Sequence, residues 1–223
     1  MSRAALFAAV LPALLAMRCS RPANADPVAS SGCPAPRDLT PTDLRAGFLA
    51  PSPVRYVRPV DGDTAHFAFP DIGETSVRFL WVNTEESHGR RTTDFGLETA
   101  RTVAGWFGGA HRFAVVREDT PANPGAPQLD RFDRTLGLVF MDDRLVQLRI
   151  VREGLSPYYT DYGCAPEPVH TALLLAEADA RAHRRGVWAP GHPTDYAEVL
   201  DRWIGGRRRA CRPNPFRGEP YCR

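Results

Sequence analysis

Between residues 61 and 134 the chain carries three clusters whose residue types could do chemistry together. Asp61-Gly62-Asp63-Thr64 comes first, inside a β-like run. Arg78 follows, opening an apolar stretch that ends in Asn83-Thr84-Glu85-Glu86. Asp130-Arg131-Phe132-Asp133-Arg134 closes the set, just before the apolar run 136–140. Carboxylate, amide and carbonyl oxygens are hard ligands of the kind that select calcium or magnesium. A further carboxylate can orient or deprotonate a water. Arginine forks neutralise the charge that builds on a phosphoryl group in a transition state. That inventory suits metal-assisted phosphodiester hydrolysis. Arg78 adds weight because an unpaired guanidinium in an apolar strand is costly.

The elements that must position these residues follow from periodicity. Residues 54–60, 64–69, 76–82, 111–117 and 136–140 read as strands. In the second, Ala65, Phe67 and Phe69 alternate with Thr64, His66 and Ala68. Residues 95–107, 147–153 and 169–185 have helical spacing, with Gly154 and Gly186 as stops for the last two. Trp188 is expected to pack beneath the third helix. Five strands with helices between and after them fit a small closed barrel. A short extra helix is expected at 195–204.

The order and spacing resemble the staphylococcal nuclease (thermonuclease) family. Its pattern runs D-G-D-T, then R-x-x-x-V-D-T-P-E, then D-x-Y-G-R before an apolar strand. Residues 136–156 are similar to the family's strand, turn and second helix without a gap, and the likeness covers residues 54–190. It implies an α+β, mainly β, five-stranded oligonucleotide/oligosaccharide-binding barrel with three helices. It also implies a calcium-dependent, sugar-nonspecific nuclease (endo/exonuclease) that hydrolyses DNA and RNA and leaves 3′-phosphates. On that likeness Asp63 is the leading calcium ligand, Asn83 and Thr84 follow, Thr84 through its backbone carbonyl, and Asp61 lies close by, either behind the ligands or forming the turn. Glu86 matches the carboxylate that contacts the attacking water, and Arg78 and Arg134 match the phosphate-binding arginines. Tyr158, Tyr159 and Tyr162 follow the second helix near the family's nucleotide pocket, where base stacking and packing under the loop stand as alternatives.

Three positions depart from the pattern. Asn83 stands where the family has a second aspartate, so one negative charge is lost while an amide oxygen remains. Glu85 stands in place of proline, which loosens a rigid turn, and Asp133 in place of glycine offers Arg134 a local salt bridge. Asn83 and Glu85 keep a rival alive: a catalytically silent barrel that only binds nucleic acid. A third reading, an extracellular structural module held by disulfides, explains the cysteines but not the acidic and arginine set.

Composition bounds the rest. The 223 residues are 43% hydrophobic with a net charge of +2, so charge alone does not announce a nucleic-acid partner. Every basic side chain other than histidine is arginine. The six histidines form no defensible ligand pair. Residues 1–25 read as a secretory signal: Arg3, an apolar run too short to span a bilayer, and Ala23-Asn24-Ala25 as the cleavage signal. A secreted or periplasmic monomer is expected, with no membrane anchor and no stable protein partner; lipidation at Cys19 is the minor alternative. Cleavage near Ala25 leaves Cys33, Cys164, Cys211 and Cys222, hence two disulfides and three possible pairings. The preferred pairing joins Cys211 to Cys222 and Cys33 to Cys164. Residues 26–53 read as an extension with little regular structure. Residues 191–223 form a second extension, rich in arginine and proline.

Overall fold

The computed structural model describes residues 37–44, 47–119, 128–160 and 163–192. The expectations for residues 1–25, for Cys33, Tyr162, Cys211 and Cys222, and for the helix at 195–204 lie outside them. In chain order the elements are β1 (Ser52–Pro59), β2 (Thr64–Phe69), β3 (Gly73–Phe79), α1 (Asp94–Gly108), β4 (Phe113–Arg117), β5 (Thr135–Met141), β6 (Arg144–Leu145), α2 (Val146–Arg152) and α3 (Val169–Ala182). The strands pair in the order β3-β2-β1-β4-β5, and a parallel pairing of β3 with β5 closes the ring. The result is the expected α+β barrel of five mixed strands with three helices; the two-residue β6 only extends β5 into a hairpin.

Alternation makes the barrel. Ala65, Phe67 and Phe69 of β2 and Val77 and Phe79 of β3 turn inward and are buried. Helix α1 supplies the plug: the Phe107 ring lies 5.1 Å from Tyr56, 5.9 Å from Phe67 and 6.1 Å from Phe79. Helices α2 and α3 pack together through Leu148, Ile150, Val151, Leu173 and Ala176, all buried. Trp188 lies under α3, with the Arg181 guanidinium 3.8 Å from its ring centre. No described helix is long and apolar enough to cross a membrane.

Two of the boundaries that move do so for a clear local reason. β3 ends at Phe79 because Trp81 takes a left-handed backbone (φ 61°) and Val82 then bridges to Tyr158 instead. β4 begins at Phe113 because the His111 and Arg112 amides are spent on the Asp142 carboxylate, at 3.1 and 2.9 Å. The described part of the N-terminal extension is also more ordered than its composition suggests. It buries Leu39, forms a 3-10 turn at Pro41–Asp43, and sets Phe48 edge-on to Trp81.

Candidate functional site

Strand register brings the first half of the site together. In the β2–β3 ladder Thr64 faces Arg78, and the Phe79 amide donates to the Asp63 carbonyl at 2.8 Å. The Asp63 side chain is buried, and the Thr64 hydroxyl donates to its Oδ1 at 3.0 Å. Arg78 Nη1 sits 3.1 Å from the same oxygen, while Nη2 donates to Asn83 Oδ1 at 3.0 Å. Arg134 precedes β5, which runs parallel to β3 with Thr135 opposite Val77, and its Nη1 donates to the Thr64 hydroxyl at 3.4 Å. A continuous polar chain therefore runs Arg134–Thr64–Asp63–Arg78–Asn83. Both arginine side chains are largely covered, 15% and 27% exposed, so their charge acts in a poorly screened setting.

The partner of Arg134 is Asp130, not Asp133. Both Nε and Nη2 lie 2.7 Å from Asp130 Oδ2. Asp133 instead takes a left-handed backbone (φ 59°), which explains why this position suits glycine, or failing that aspartate.

The second half of the site is a loop held from outside the barrel. Ser156 grips Asn83 by its backbone, accepting from the amide at 2.8 Å and donating to the carbonyl at 3.1 Å. The Thr84 amide donates to Asp63 Oδ2 at 2.9 Å, joining the two halves. Helix α1 closes on the site at two glycines, one in the turn between Asp61 and Asp63 and one of its own. A Cβ on Gly62 would come 2.6 Å from Thr99 Cγ2, and one on Gly96 would come 2.2 Å from the Glu86 carbonyl oxygen. The Thr93 amide donates to that carbonyl at 3.0 Å. Glu85 is buried, whereas the neighbouring Glu86 side chain is exposed.

The electrostatics suit a hard cation. Burial pushes the Asp61 carboxyl up to about 7; the negative Asp63 beside it pushes the same way, against a smaller pull from Arg78. A buried carboxyl that resists ionisation gains from added positive charge. Asp61, Asp63, the Asn83 amide and the Thr84 carbonyl are all oxygen donors, as calcium prefers. Among the described residues no group of three or more His, Cys, Asp or Glu side chains forms a metal cluster. A cation here would thus lean on neutral oxygens and on substrate. Arg78 now holds one oxygen each of Asp63 and Asn83, so it and a cation draw on the same atoms.

Of the two alternatives, the structure takes packing and not stacking on a base for Tyr158. Its ring is fully buried, its hydroxyl accepts from the Ala165 amide and bonds His170 Nδ1, each at 2.8 Å, and no face is offered to a base. It packs under the loop. Tyr159 is half-buried and spends its amide on the Trp81 carbonyl at 2.9 Å. Cys164 is buried. Sequence reasoning missed Thr64, Asp130 and Ser156 as members of the network. It also passed over Phe132, an aromatic side chain 62% exposed, with the Arg131 and Arg134 guanidiniums 4.7 and 5.4 Å from its ring centre. An aromatic between two arginines was the signal available for that one.

Comparison with known proteins identifies a family. The family model described as staphylococcal nuclease homologue matches residues 76–190, just over half of the chain. A protein of Bacillus subtilis (strain 168) named Endonuclease YhcR is 26% identical over 144 residues, covering 61% of this chain and 11% of its own length. An uncharacterized 38.1 kDa protein of Capnoides sempervirens is 33% identical over 64 residues, 29% of this chain and 18% of its own. The chain thus spans a small part of each relative.

Proposed function

The chain belongs to the staphylococcal nuclease homologue family, and from that premise we propose that it is an exported, calcium-dependent nuclease that hydrolyses both DNA and RNA. The observation that carries the reading is the polar chain Arg134–Thr64–Asp63–Arg78–Asn83, which sets two guanidiniums around a buried carboxylate. Asp63, Asn83 and the Thr84 carbonyl would hold the ion, with Asp61 behind them. Calcium supplies Lewis-acid polarisation of a phosphoryl oxygen and a template for the substrate. Arg78 and Arg134 grip the phosphoryl oxygens, and their forks match the charge that grows there in the transition state. Glu86, exposed beside the site, orients the attacking water and takes up its proton. Phe132 gives a base or sugar an apolar face next to Arg134.

Export rests on the signal-like residues 1–25, and the two disulfides on Cys33, Cys164, Cys211 and Cys222. The name of the Bacillus subtilis relative supports an endonucleolytic mode. The deciding assay incubates purified protein with single-stranded DNA and with RNA, first with calcium and then with excess chelator. Cleavage of both that stops with chelator is expected. Retention of the nucleic acid without cleavage in calcium would instead mark a silent binding module.

A further inference from the structure

The proline-to-glutamate departure at position 85 has a structural counterpart two residues beyond the matched segment. Glu85 is 2% exposed. Its Oε1 lies 2.6 Å from His192 Nε2, and its Oε2 accepts from the Thr93 hydroxyl at 2.5 Å. The His192 side chain is 8% exposed, and its ring stands edge-on to Phe95 with centroids 4.7 Å apart. Thr93 caps α1, accepting from the Gly96 amide at 2.9 Å, and its own amide holds the Glu86 carbonyl. Glu85, Thr93, Phe95 and His192 therefore form one knot at the N-terminus of α1, and the Glu86 backbone is tied into it.

Proline at position 85 would fix φ by its ring. Glutamate leaves that torsion free, so rigidity of the Glu86 loop must come from contacts. We propose that His192 is a positioning residue: by clamping Glu85 onto the start of α1, it holds Glu86 where water is to be activated. This inference rests on the role given to Glu86 above. The His192 ring bonds Glu85 and packs on Phe95, and it acts through Glu85. Its loss leaves a buried carboxylate short of a donor, which loosens the loop rather than the barrel.

The test compares wild type with His192→Leu and His192→Gln, the latter keeping an N–H donor near the position of Nε2. Steady-state rates on single-stranded DNA at saturating calcium give kcat and KM. Amide hydrogen exchange on metal-free protein follows Thr93, whose N–H is bonded to Glu86, against the amides of β1 and β2. His192→Leu is expected to lower kcat about tenfold or more, a fraction of the ~10²–10⁴-fold that a positioned acid-base group contributes, with KM little changed. Thr93 exchange should quicken while the strand amides stay protected, and His192→Gln should recover most of both. A His192→Leu protein with wild-type kcat, or one whose barrel amides loosen together with Thr93, overturns the positioning role. Inactive wild-type protein sinks the functional reading and this inference together. An active wild type with an unaffected His192→Leu sinks only the inference.

Discussion

The barrel-borne half of the site and the loop-borne half are built by different means. Asp63, Thr64, Arg78 and Arg134 are fixed by strand register: Thr64 opposite Arg78, Thr135 opposite Val77. A side chain that leaves its place there must break a ladder. Asn83, Thr84, Glu85 and Glu86 follow the left-handed turn at Trp81 and belong to no strand. They are held by Ser156, Thr93, Gly96 and His192, which come from three other parts of the chain. The lesson is a division of labour. The sheet sets where charge is presented, and contacts from the start of α1 and from two later segments set where the Glu86 carboxylate sits. Damage to the first half should appear as lost phosphoryl stabilisation, and damage to the second as lost positioning with binding largely kept.

The largest expected effect removes what both halves share. Excess chelator should abolish cleavage of DNA and RNA, and calcium should restore it. Full activity in chelator would mean that the oxygen set around Asp63 serves the arginines alone. The next effect isolates the barrel half. Arg78→Lys keeps a charge but cannot hold Asp63, Asn83 and a phosphate with one planar fork. Its kcat should fall ~10²-fold or more, the scale of losing one transition-state donor. Arg134→Lys should behave likewise, because Asp130 already takes the Nε–Nη2 edge of that guanidinium and a lysine cannot hold Asp130 and a phosphate with one fork. A Lys variant with near wild-type turnover would place the phosphate elsewhere.

A smaller effect isolates the loop half. Gly96→Ala puts a methyl group 2.2 Å from the Glu86 carbonyl oxygen, and backbone must give way on one side. Overpacking of this kind costs about 1–3 kcal/mol. Thermal unfolding should report that loss, and kcat should fall with KM nearly constant. An unchanged kcat in a destabilised protein would separate the α1 contact from catalysis and weaken the division drawn above.

The same division explains what could be read from sequence. The barrel half was legible because its positions obey a period of two and its motif residues carry their own register. Ala65, Phe67 and Phe69 announce β2, and Asp63 sits at its start. The loop half was legible only as a list of types. Nothing local links Ser156 to Asn83 across 73 positions, or His192 to Glu85 across 107. The two alternatives for Tyr158 stayed open for the same reason. A tyrosine after α2 has one composition whether it faces a base or the core, and here the Ala165 amide and His170 claim its hydroxyl. Asp130 was visible as a residue. That it, rather than Asp133, holds Arg134 depends on the left-handed turn at Asp133.

The smallest effect falls on the joint between the halves. Asn83 reaches the barrel half through Oδ1, which accepts from Arg78, and belongs to the loop half through a backbone pinned by Ser156. Asn83→Asp changes one group for another of nearly the same shape, so both attachments can persist. The added charge strengthens the pull on any cation drawn to these oxygens. Two cations compete for that pull: calcium, and the Arg78 guanidinium already bonded to the same oxygen. Calcium gains more, because it carries twice the charge and its affinity in oxygen sites rises with the number of charged ligands. The calcium concentration for half-maximal cleavage should therefore fall, by at most about tenfold, which corresponds to 1.4 kcal/mol. Maximal rate need not rise, since a tighter ion stabilises ground and transition states alike. A calcium titration of cleavage by both proteins measures the shift. Combining Asn83→Asp with Arg78→Ala sharpens it, because removing the competing guanidinium should deepen the gain in calcium binding, read by direct titration even where cleavage is lost. If Asn83→Asp needs as much calcium as the parent, position 83 serves Arg78 alone. The ion would then have to be placed around Asp61, Asp63 and Glu86.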